Sequence, residues 1–248
     1  MTSPVVVLHG FTGSGVAMLP LTDRLTSERV VAPDLAGHGP GPQPSDPAGY
    51  TVDAMADAVA ESVEGPFHLV GYSMGGRVAL TLACREPGRV LSLSLIGASA
   101  GLAGAGEREA RAASDDALAD ALEADPQTFI DRWMHNPLFA TQQRLGSDAW
   151  EASRVQRLQN DPAGMAHSLR MASTGRMTPL HDHLAVCEMP VGLIVGALDD
   201  KFRAIAADLA AAMPAAEVIM IDDAGHATHV EQPEATAAAV LDTIQRSR

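Results

Sequence analysis

Three residue types in this chain, a serine, an aspartate and a histidine, are spaced so that they could form a catalytic triad. In such a triad the serine acts as nucleophile or base, the histidine activates it, and the aspartate orients the histidine. Ser73 lies at the centre of Gly71-Tyr72-Ser73-Met74-Gly75, a G-x-S-x-G motif that follows an apolar run and opens a helical pattern. Glycines suit this sharp turn because it leaves no room for side chains beside the serine. A serine hydroxyl is weak by itself, so the motif predicts a histidine held by a carboxylate.

Two later positions supply these partners in the order serine, acid, histidine. Asp199 and His226 each come just after an apolar run, where a predicted strand ends. Neighbouring residues are rivals for the same roles, Asp200 for the acid and His229 for the base. Order and placement together predict a triad of Ser73, Asp199 and His226.

Backbone N–H groups near the serine are predicted to stabilise developing negative charge. Met74 follows the serine directly, and its N–H lies at the start of a helix. The N–H of Phe11, just after the first predicted strand, is expected to be the second donor. Gly13-Ser14-Gly15 could suggest a phosphate-binding loop, but no Gly-Lys-Ser/Thr sequence follows it.

These residues need a sheet to bring them together. Short apolar runs rich in β-branched residues alternate with helical patterns, which is typical of a parallel sheet covered by helices on both faces. Such α/β sheets bind ligands beyond the carboxyl ends of their strands. The strands are predicted at 5–8, 30–32, 67–70, 90–96, 191–195 and 218–221, and the helices from about 16, over 51–64, up to 86, over 203–213 and from 233.

Residues 98–189 interrupt the alternation, because they carry helical patterns and no convincing strand. We call them the helical insertion, and we expect them to form a cap at the edge where the strands end. The predicted organisation is therefore a first part of the core over 1–97, the cap over 98–189, and the rest of the core over 190–248.

Composition excludes several classes of function. The net charge of −14 disfavours binding to nucleic acid or to a membrane surface. Cys84 and Cys187 have no metal-ligand spacing and are expected to be buried apolar fillers, and His181 and His183 are interpreted as surface residues. No stretch resembles a signal peptide or a membrane span, so we expect a cytoplasmic protein. The sequence leaves open whether it is a monomer or a homodimer.

The motifs resemble the α/β-hydrolase superfamily from about residue 5 to residue 240. A narrower resemblance is to the family of menaquinone-pathway synthases that form 2-succinyl-6-hydroxy-2,4-cyclohexadiene-1-carboxylate. The generic part of the likeness is carried by 9–11, 34–39, 71–75 and 225–226, and the specific part by 71–79, 101–102 with 107–111, 133 with 137–139, and 199–204.

That family eliminates pyruvate from a cyclohexene that bears an enolpyruvyl ether and three carboxylates. The resemblance implies a lyase in which Ser73, activated by the other two triad residues, removes a ring proton. It implies a small tricarboxylate substrate and neither a metal nor an organic cofactor. Substrate-contacting positions of the family match Tyr72, Arg111, Trp133 and Arg157, with Arg154 a rival for Arg157 and packing an alternative role for Trp133.

Arg77 supports an anionic substrate from its position alone. It lies four residues after Ser73, one helical turn along and on roughly the same face. A cation in the first turn opposes the helix dipole, and an anionic ligand there would offset this cost with a bidentate contact. An ion pair with a surface carboxylate is the alternative.

Three hypotheses follow. The first is a pyruvate-eliminating lyase, and the second is a serine hydrolase of a small ester or of a carbon–carbon bond. A cation beside the serine separates these two, because a neutral ester gains nothing from it. The third is a binding protein without catalysis, which the intact triad disfavours.

Overall fold

Six parallel strands form one sheet at the centre of the protein, of which the computed structural model describes residues 3–248. The spatial order is β2-β1-β3-β4-β5-β6, and every neighbouring pair is parallel. The strands are β1 (Val5–Leu8), β2 (Val30–Val31), β3 (Phe67–Tyr72), β4 (Val90–Ile96), β5 (Val191–Gly196) and β6 (Ala216–Ile221).

Helices cover both faces of the sheet, as the continuous apolar runs predict. The α-helices are α1 (Leu19–Thr22), α2 (Val52–Ser62), α3 (Met74–Arg85), α4 (Ala105–Ala124), α5 (Pro126–Met134), α6 (Ser147–Leu158), α7 (Pro162–Met171), α8 (Asp200–Ala212), α9 (Thr228–Glu231) and α10 (Pro233–Gln245). Shorter 3₁₀ turns span Gly15–Met18, Pro47–Tyr50, Pro137–Leu145 and His181–Val186.

Alternation along each strand divides the core into two layers. Val6 and Leu8 of β1 belong to the layer that packs with α2, α3 and α8. Val5 and Val7 belong to the opposite layer, which packs with α1 and α10. This division follows from the period of two in a strand, whose successive side chains point to opposite faces. Both layers are apolar, so β1, β3, β4 and β5 are buried on each side, whereas the edge strands β2 and β6 are partly exposed.

The helical insertion connects β4 to β5. It contains α4 to α7 and two of the 3₁₀ turns, and no strand occurs in it. Its helices enclose a third apolar cluster, formed by Ala119, Leu122, Phe129, Ile130, Met134, Met165, Ala166 and Leu169. Phe11 packs against this cluster from the loop after β1. The insertion therefore has its own apolar packing and meets the sheet at the carboxyl end of β1.

Several predicted elements differ from the structure in their bounds; β3, for example, continues to Tyr72, two residues beyond its predicted end. The helix expected from Val16 is a 3₁₀ turn followed by the single turn of α1. The helix expected at Arg203 begins at Asp200, because the Asp199 carboxylate accepts from the N–H of Phe202 and caps it. Strand β6 begins two residues before Val218, extended by its parallel pairing with β5.

The two cysteines lie together although they are far apart in sequence. Their sulfur atoms are 3.7 Å apart, with Cys187 buried and Cys84 half-buried beside the same apolar layer. This agrees with their interpretation as apolar fillers. In a separate respect, no helix in residues 3–248 is long and apolar enough to cross a membrane.

Candidate active site

The turn between β3 and α3 holds Ser73 in a conformation that few side chains adopt. Its φ is +51° and its ψ is −108°. A Cβ on Gly75 would lie 2.6 Å from the carbonyl oxygen of Leu8, and one on Gly71 would lie 2.6 Å from the Cα of Gly76. The glycines of the motif are therefore required by the close approach of the turn to β1 and to its own helix.

Ser73, His226 and Asp199 meet at the carboxyl edge of the sheet. The Oγ of Ser73 is 3.3 Å from Nε2 of His226, and Nδ1 of His226 is 2.9 Å from Oδ2 of Asp199. With Nδ1 carrying the ring proton, His226 donates to Asp199 and accepts the serine hydroxyl. The imidazole is fully buried and packs on the ring of Phe202, whose centroid is 4.4 Å away.

The two rival residues have other surroundings. Asp200 is exposed and pairs with Arg203 at 2.8 Å. His229 is buried against Tyr72, with ring centroids 4.3 Å apart. Burial, His226 and Arg157 lower the pKa of His229 to about 3, so its ring is neutral at physiological pH. The geometry brings together the three residues that the strand ends predicted.

The two predicted oxyanion donors are both free to act. Within residues 3–248, neither the N–H of Phe11 nor that of Met74 donates to a protein acceptor. The loop that carries Phe11 is fixed by His9, whose ring bonds the carbonyl of Gly10 at 2.9 Å and accepts from the N–H of Leu35 at 3.0 Å. These unpaired N–H groups at the edge of the nucleophile's turn could stabilise an oxyanion.

A cavity of about 360 Å³ opens beside Ser73, between the sheet and the helical insertion. Arg77 lines it from α3, half-buried, and donates to the carbonyl of Ala172 at the end of α7. In residues 3–248 it forms no ion pair with a carboxylate. Burial and the nearby cation of Arg111 lower the pKa of Arg77 to about 10, which leaves it charged at neutral pH.

Arg111 lines the same cavity from the insertion side. Its Nε lies 2.9 Å from both carboxylate oxygens of Asp115, one turn further along α4. Its neighbour Arg108 instead donates to backbone carbonyls at the start of α4. The cavity is therefore lined by two arginines, one from the core and one from the insertion, with Asp115 beside Arg111. Lys201 and Asp208 of α8 also line it.

Arg157 lies on the other side of Phe11 and Tyr72, where it lines a second cavity of about 350 Å³. It donates to the hydroxyls of Thr12 and Ser153, and burial lowers its pKa. Its rival Arg154 points elsewhere and pairs with Asp131 at 2.6 Å. Neither arginine lines the cavity that contains Ser73. Arg157 lies in the adjoining cavity across the wall of Phe11 and Tyr72, and Arg154 lines neither cavity.

Aromatic side chains form the wall between the two cavities. Tyr72 and Phe11 line both of them, and burial raises the pKa of the Tyr72 hydroxyl. Trp133 lines the first cavity and packs edge-on against Phe11, with centroids 5.2 Å apart. The indole Nε1 is buried without a hydrogen-bond partner in residues 3–248, so packing alone leaves its N–H available to a ligand.

Some residues singled out in the sequence serve other purposes. His181 and His183 are exposed, although His181 also lines the first cavity. The described residues contain no group of three side chains suited to hold a metal. The N–H of Gly15 donates to Asp34 at 2.7 Å, which occupies a donor that a phosphate loop would need. Asp115 was not predicted, although its spacing of four from Arg111 is a signal for a helical ion pair.

The fold and this site define the class of the protein. The chain belongs to the alpha/beta hydrolase family, whose family model matches residues 5–239, and the fold predicted from the sequence is confirmed.

Within that family, the chain is similar to proteins that carry the name of one synthase. The chain is 32% identical over 249 residues to the 2-succinyl-6-hydroxy-2,4-cyclohexadiene-1-carboxylate synthase of Enterobacter sp. (strain 638), covering 97% of this chain and 91% of that protein. A protein of Bacillus subtilis (strain 168) to which the same name is provisionally given is 37% identical over 234 residues, 92% of this chain and 85% of that one. The solved structure of MenH from S. aureus matches with a TM-score of 0.91 at 29% identity, covering 100% of this chain and 96% of that chain.

Proposed function

We propose that this protein is a carbon–oxygen lyase of menaquinone biosynthesis. It eliminates pyruvate from 2-succinyl-5-enolpyruvyl-6-hydroxy-3-cyclohexene-1-carboxylate and leaves 2-succinyl-6-hydroxy-2,4-cyclohexadiene-1-carboxylate. The likeness to synthases named for that product supports the reaction. A small tricarboxylate is thus the proposed partner, within a protein whose overall charge is negative.

One observation carries this proposal beyond the family, namely the guanidinium of Arg77 beside the serine. It lines the cavity one helical turn after Ser73, and only a backbone carbonyl accepts from it in residues 3–248. A cation removed from water without a carboxylate partner is costly, and a carboxylate of the ligand would supply the missing partner. A site for neutral esters has no use for this arrangement.

In the proposed reaction, Ser73 acts as the base. His226 takes the proton of the serine hydroxyl as Oγ removes a proton from the ring, and Asp199 stabilises the imidazolium that forms. The electrons of the broken C–H bond form the new ring double bond, and the ring's C–O bond to the enolpyruvyl group breaks. The departing enolate takes a proton from the imidazolium of His226, which returns the triad to its starting state, and is released as pyruvate. The N–H groups of Phe11 and Met74 are proposed to hold the negative charge that develops.

Recognition is proposed to come from both sides of the cavity. Arg77 and Arg111 would each bind a carboxylate in the cavity beside Ser73, and Arg157 would bind one from the adjoining cavity. Tyr72 and Trp133 would pack against the ring. We further propose that residues 98–189 act as a cap that completes this pocket. Residues 1–97 and 190–248 would form the catalytic core.

The second candidate is a serine hydrolase of a small ester or of a carbon–carbon bond. The same triad favours it, because a serine activated by histidine also attacks carbonyl carbon. A binding protein without catalysis is the weaker alternative, since His226 is hydrogen-bonded both to Ser73 and to Asp199.

A paired assay tests the proposal. The purified protein is given the enolpyruvyl tricarboxylate and, separately, a neutral ester such as p-nitrophenyl acetate, and pyruvate and nitrophenol are measured. We expect rapid pyruvate release that Ser73→Ala abolishes. Ser99→Ala is a matched control, because this serine also lines the cavity but lies outside the triad. Fast ester cleavage with no pyruvate release would instead establish the hydrolase.

A further inference from the structure

Asp115 is a buried acid in the wall of the candidate active site. It lies on α4 with its side chain only 2% exposed. Both of its oxygens accept from Nε of Arg111 at 2.9 Å, and the hydroxyl of Ser173 donates to Oδ2 at 2.6 Å. Ser173 is itself fixed, because its oxygen accepts from the N–H of Gly175 at 3.0 Å.

These contacts hold one side of the Arg111 guanidinium and leave the other open. Only Nε of Arg111 is engaged, and in residues 3–248 its two terminal nitrogens donate to no protein acceptor. The side chain is 41% exposed and lines the cavity, so without the carboxylate it would be free to turn into solvent. Fixing the plane of a guanidinium in advance lowers the entropy that a ligand must remove when it binds.

The same acid lies close to the second cation of the site. Arg111 lowers the pKa of Arg77 and Asp115 opposes this effect, so all three charges act on one another. Arg77 also donates to the carbonyl of Ala172, the residue before Ser173. The acid therefore stands at the junction of the core arginine and the insertion arginine.

We propose that Asp115 is a positioning residue, which orients Arg111 so that its terminal nitrogens face a carboxylate of the substrate. The inference rests on the proposed function for the identity of the substrate. The orienting role of Asp115 itself requires only that the ligand of Arg111 is an anion. Asp115 acts through Arg111 and does not itself touch the reacting atoms.

Two substitutions separate orientation from charge. Asp115→Asn keeps an oxygen that accepts from Arg111 but removes the negative charge, whereas Asp115→Ala removes both. If orientation dominates, Asp115→Ala raises KM for the tricarboxylate by about tenfold, the value of one charge-assisted hydrogen bond, with a smaller change in kcat. Asp115→Asn then stays within about threefold of the wild type. Equal rises in KM, or a fall in both variants, would overturn the proposal in favour of a charge effect.

A double-mutant cycle with Arg111→Ala shows whether the acid acts through the arginine. Asp115→Ala is expected to add less than about twofold to KM when Arg111 is already absent. An undiminished tenfold effect in that background would mean that Asp115 only supports the packing of α4. Asp116→Ala is the matched control, because the adjacent acid pairs with Arg176 away from the cavity.

Binding of citrate, measured by titration calorimetry in the same variants, distinguishes this inference from the proposed function. A wild-type protein that binds citrate but releases no pyruvate contradicts the lyase, while the order of citrate affinities still decides the role of Asp115. Expected affinities fall about tenfold in Asp115→Ala and within threefold in Asp115→Asn. A wild-type protein that does neither contradicts both proposals.

Discussion

Replacing Arg77 by methionine should separate recognition of the substrate from stability of the fold. Burial and Arg111 lower the pKa of this arginine to about 10 from 12.5, which corresponds to roughly 2–3 kcal/mol against the charged form after allowance for its partial exposure. Its hydrogen bond to the carbonyl of Ala172 returns about 1.5–3 kcal/mol. The two effects nearly cancel, so Arg77→Met should change the free energy of unfolding by less than about 1 kcal/mol.

Activity should respond very differently. A bidentate contact to a carboxylate contributes two charge-assisted hydrogen bonds, and losing them should cost about 3–4 kcal/mol in the transition state. This predicts a fall of about 10²–10³ in kcat/KM for pyruvate release. Turnover of a neutral ester should change by less than about threefold, because no carboxylate is involved.

The measurements are urea unfolding together with the two steady-state assays. Arg85→Met is the control on the same helix, since Arg85 pairs with Asp57 at the surface. Equal losses of tricarboxylate and ester turnover in Arg77→Met would refute the reasoning, and would mean that the arginine supports the turn that holds Ser73. A loss of more than about 2 kcal/mol in unfolding free energy would lead to the same conclusion.

Three further outcomes follow from the structure. Gly75→Ala should lower the free energy of unfolding by about 2–4 kcal/mol, because the added Cβ would meet the backbone of β1. Gly88→Ala is the control, since Gly88 lies in open space and its substitution should change that free energy by about 0.5 kcal/mol or less. Equal effects of the two substitutions in urea unfolding would contradict this packing argument. The buried ring of His229, whose pKa is lowered to about 3, stays neutral in the folded protein, whereas in the unfolded chain it takes up a proton as pH falls below 6.5. Stability should therefore fall by about 1.4 kcal/mol per pH unit, and His229→Gln should flatten that slope in unfolding curves between pH 6 and pH 4. An unchanged slope would show that the ring is hydrated. Asp199→Asn should lower kcat by about 10³–10⁴, because an amide in place of the carboxylate favours the wrong tautomer of His226. Asp200→Asn should leave kcat near the wild-type value, since Asp200 is exposed and pairs with Arg203. The reverse result would exchange the roles of the two aspartates.

The strands of the sheet and the positions of the triad residues can be predicted from the sequence, because both depend on local signals. Buried parallel strands are continuous apolar runs, and β1 and β4 have the bounds that these runs predict. Functional residues just after such strands must converge at one edge, which is where Ser73, Asp199 and His226 meet. Errors at element ends have local causes, such as the Asp199 cap that starts α8 earlier.

Contacts across the helical insertion could not be read in this way. The rotation of α6 decides whether Arg154 or Arg157 points toward the cavities. That rotation is set by packing between helices far apart in sequence. The ion pair of Arg154 with Asp131 links α6 to α5, and no pattern within either helix specifies it. Asp115 was missed for a related reason, because its importance comes from the cavity that it faces.

The three residues of the triad all come from turns at the ends of β3, β5 and β6, and none comes from the insertion. In the proposed mechanism, proton transfer is therefore assigned to the core and much of the ligand recognition to the insertion, which are encoded in different stretches of the gene. Exchange of residues 98–189 between homologues would alter which molecules are accepted while the reacting groups keep their places. Arg77 and Tyr72 are proposed ligand contacts that belong to the core, so they would stay behind in any such chimera, and Arg77 would continue to favour anions.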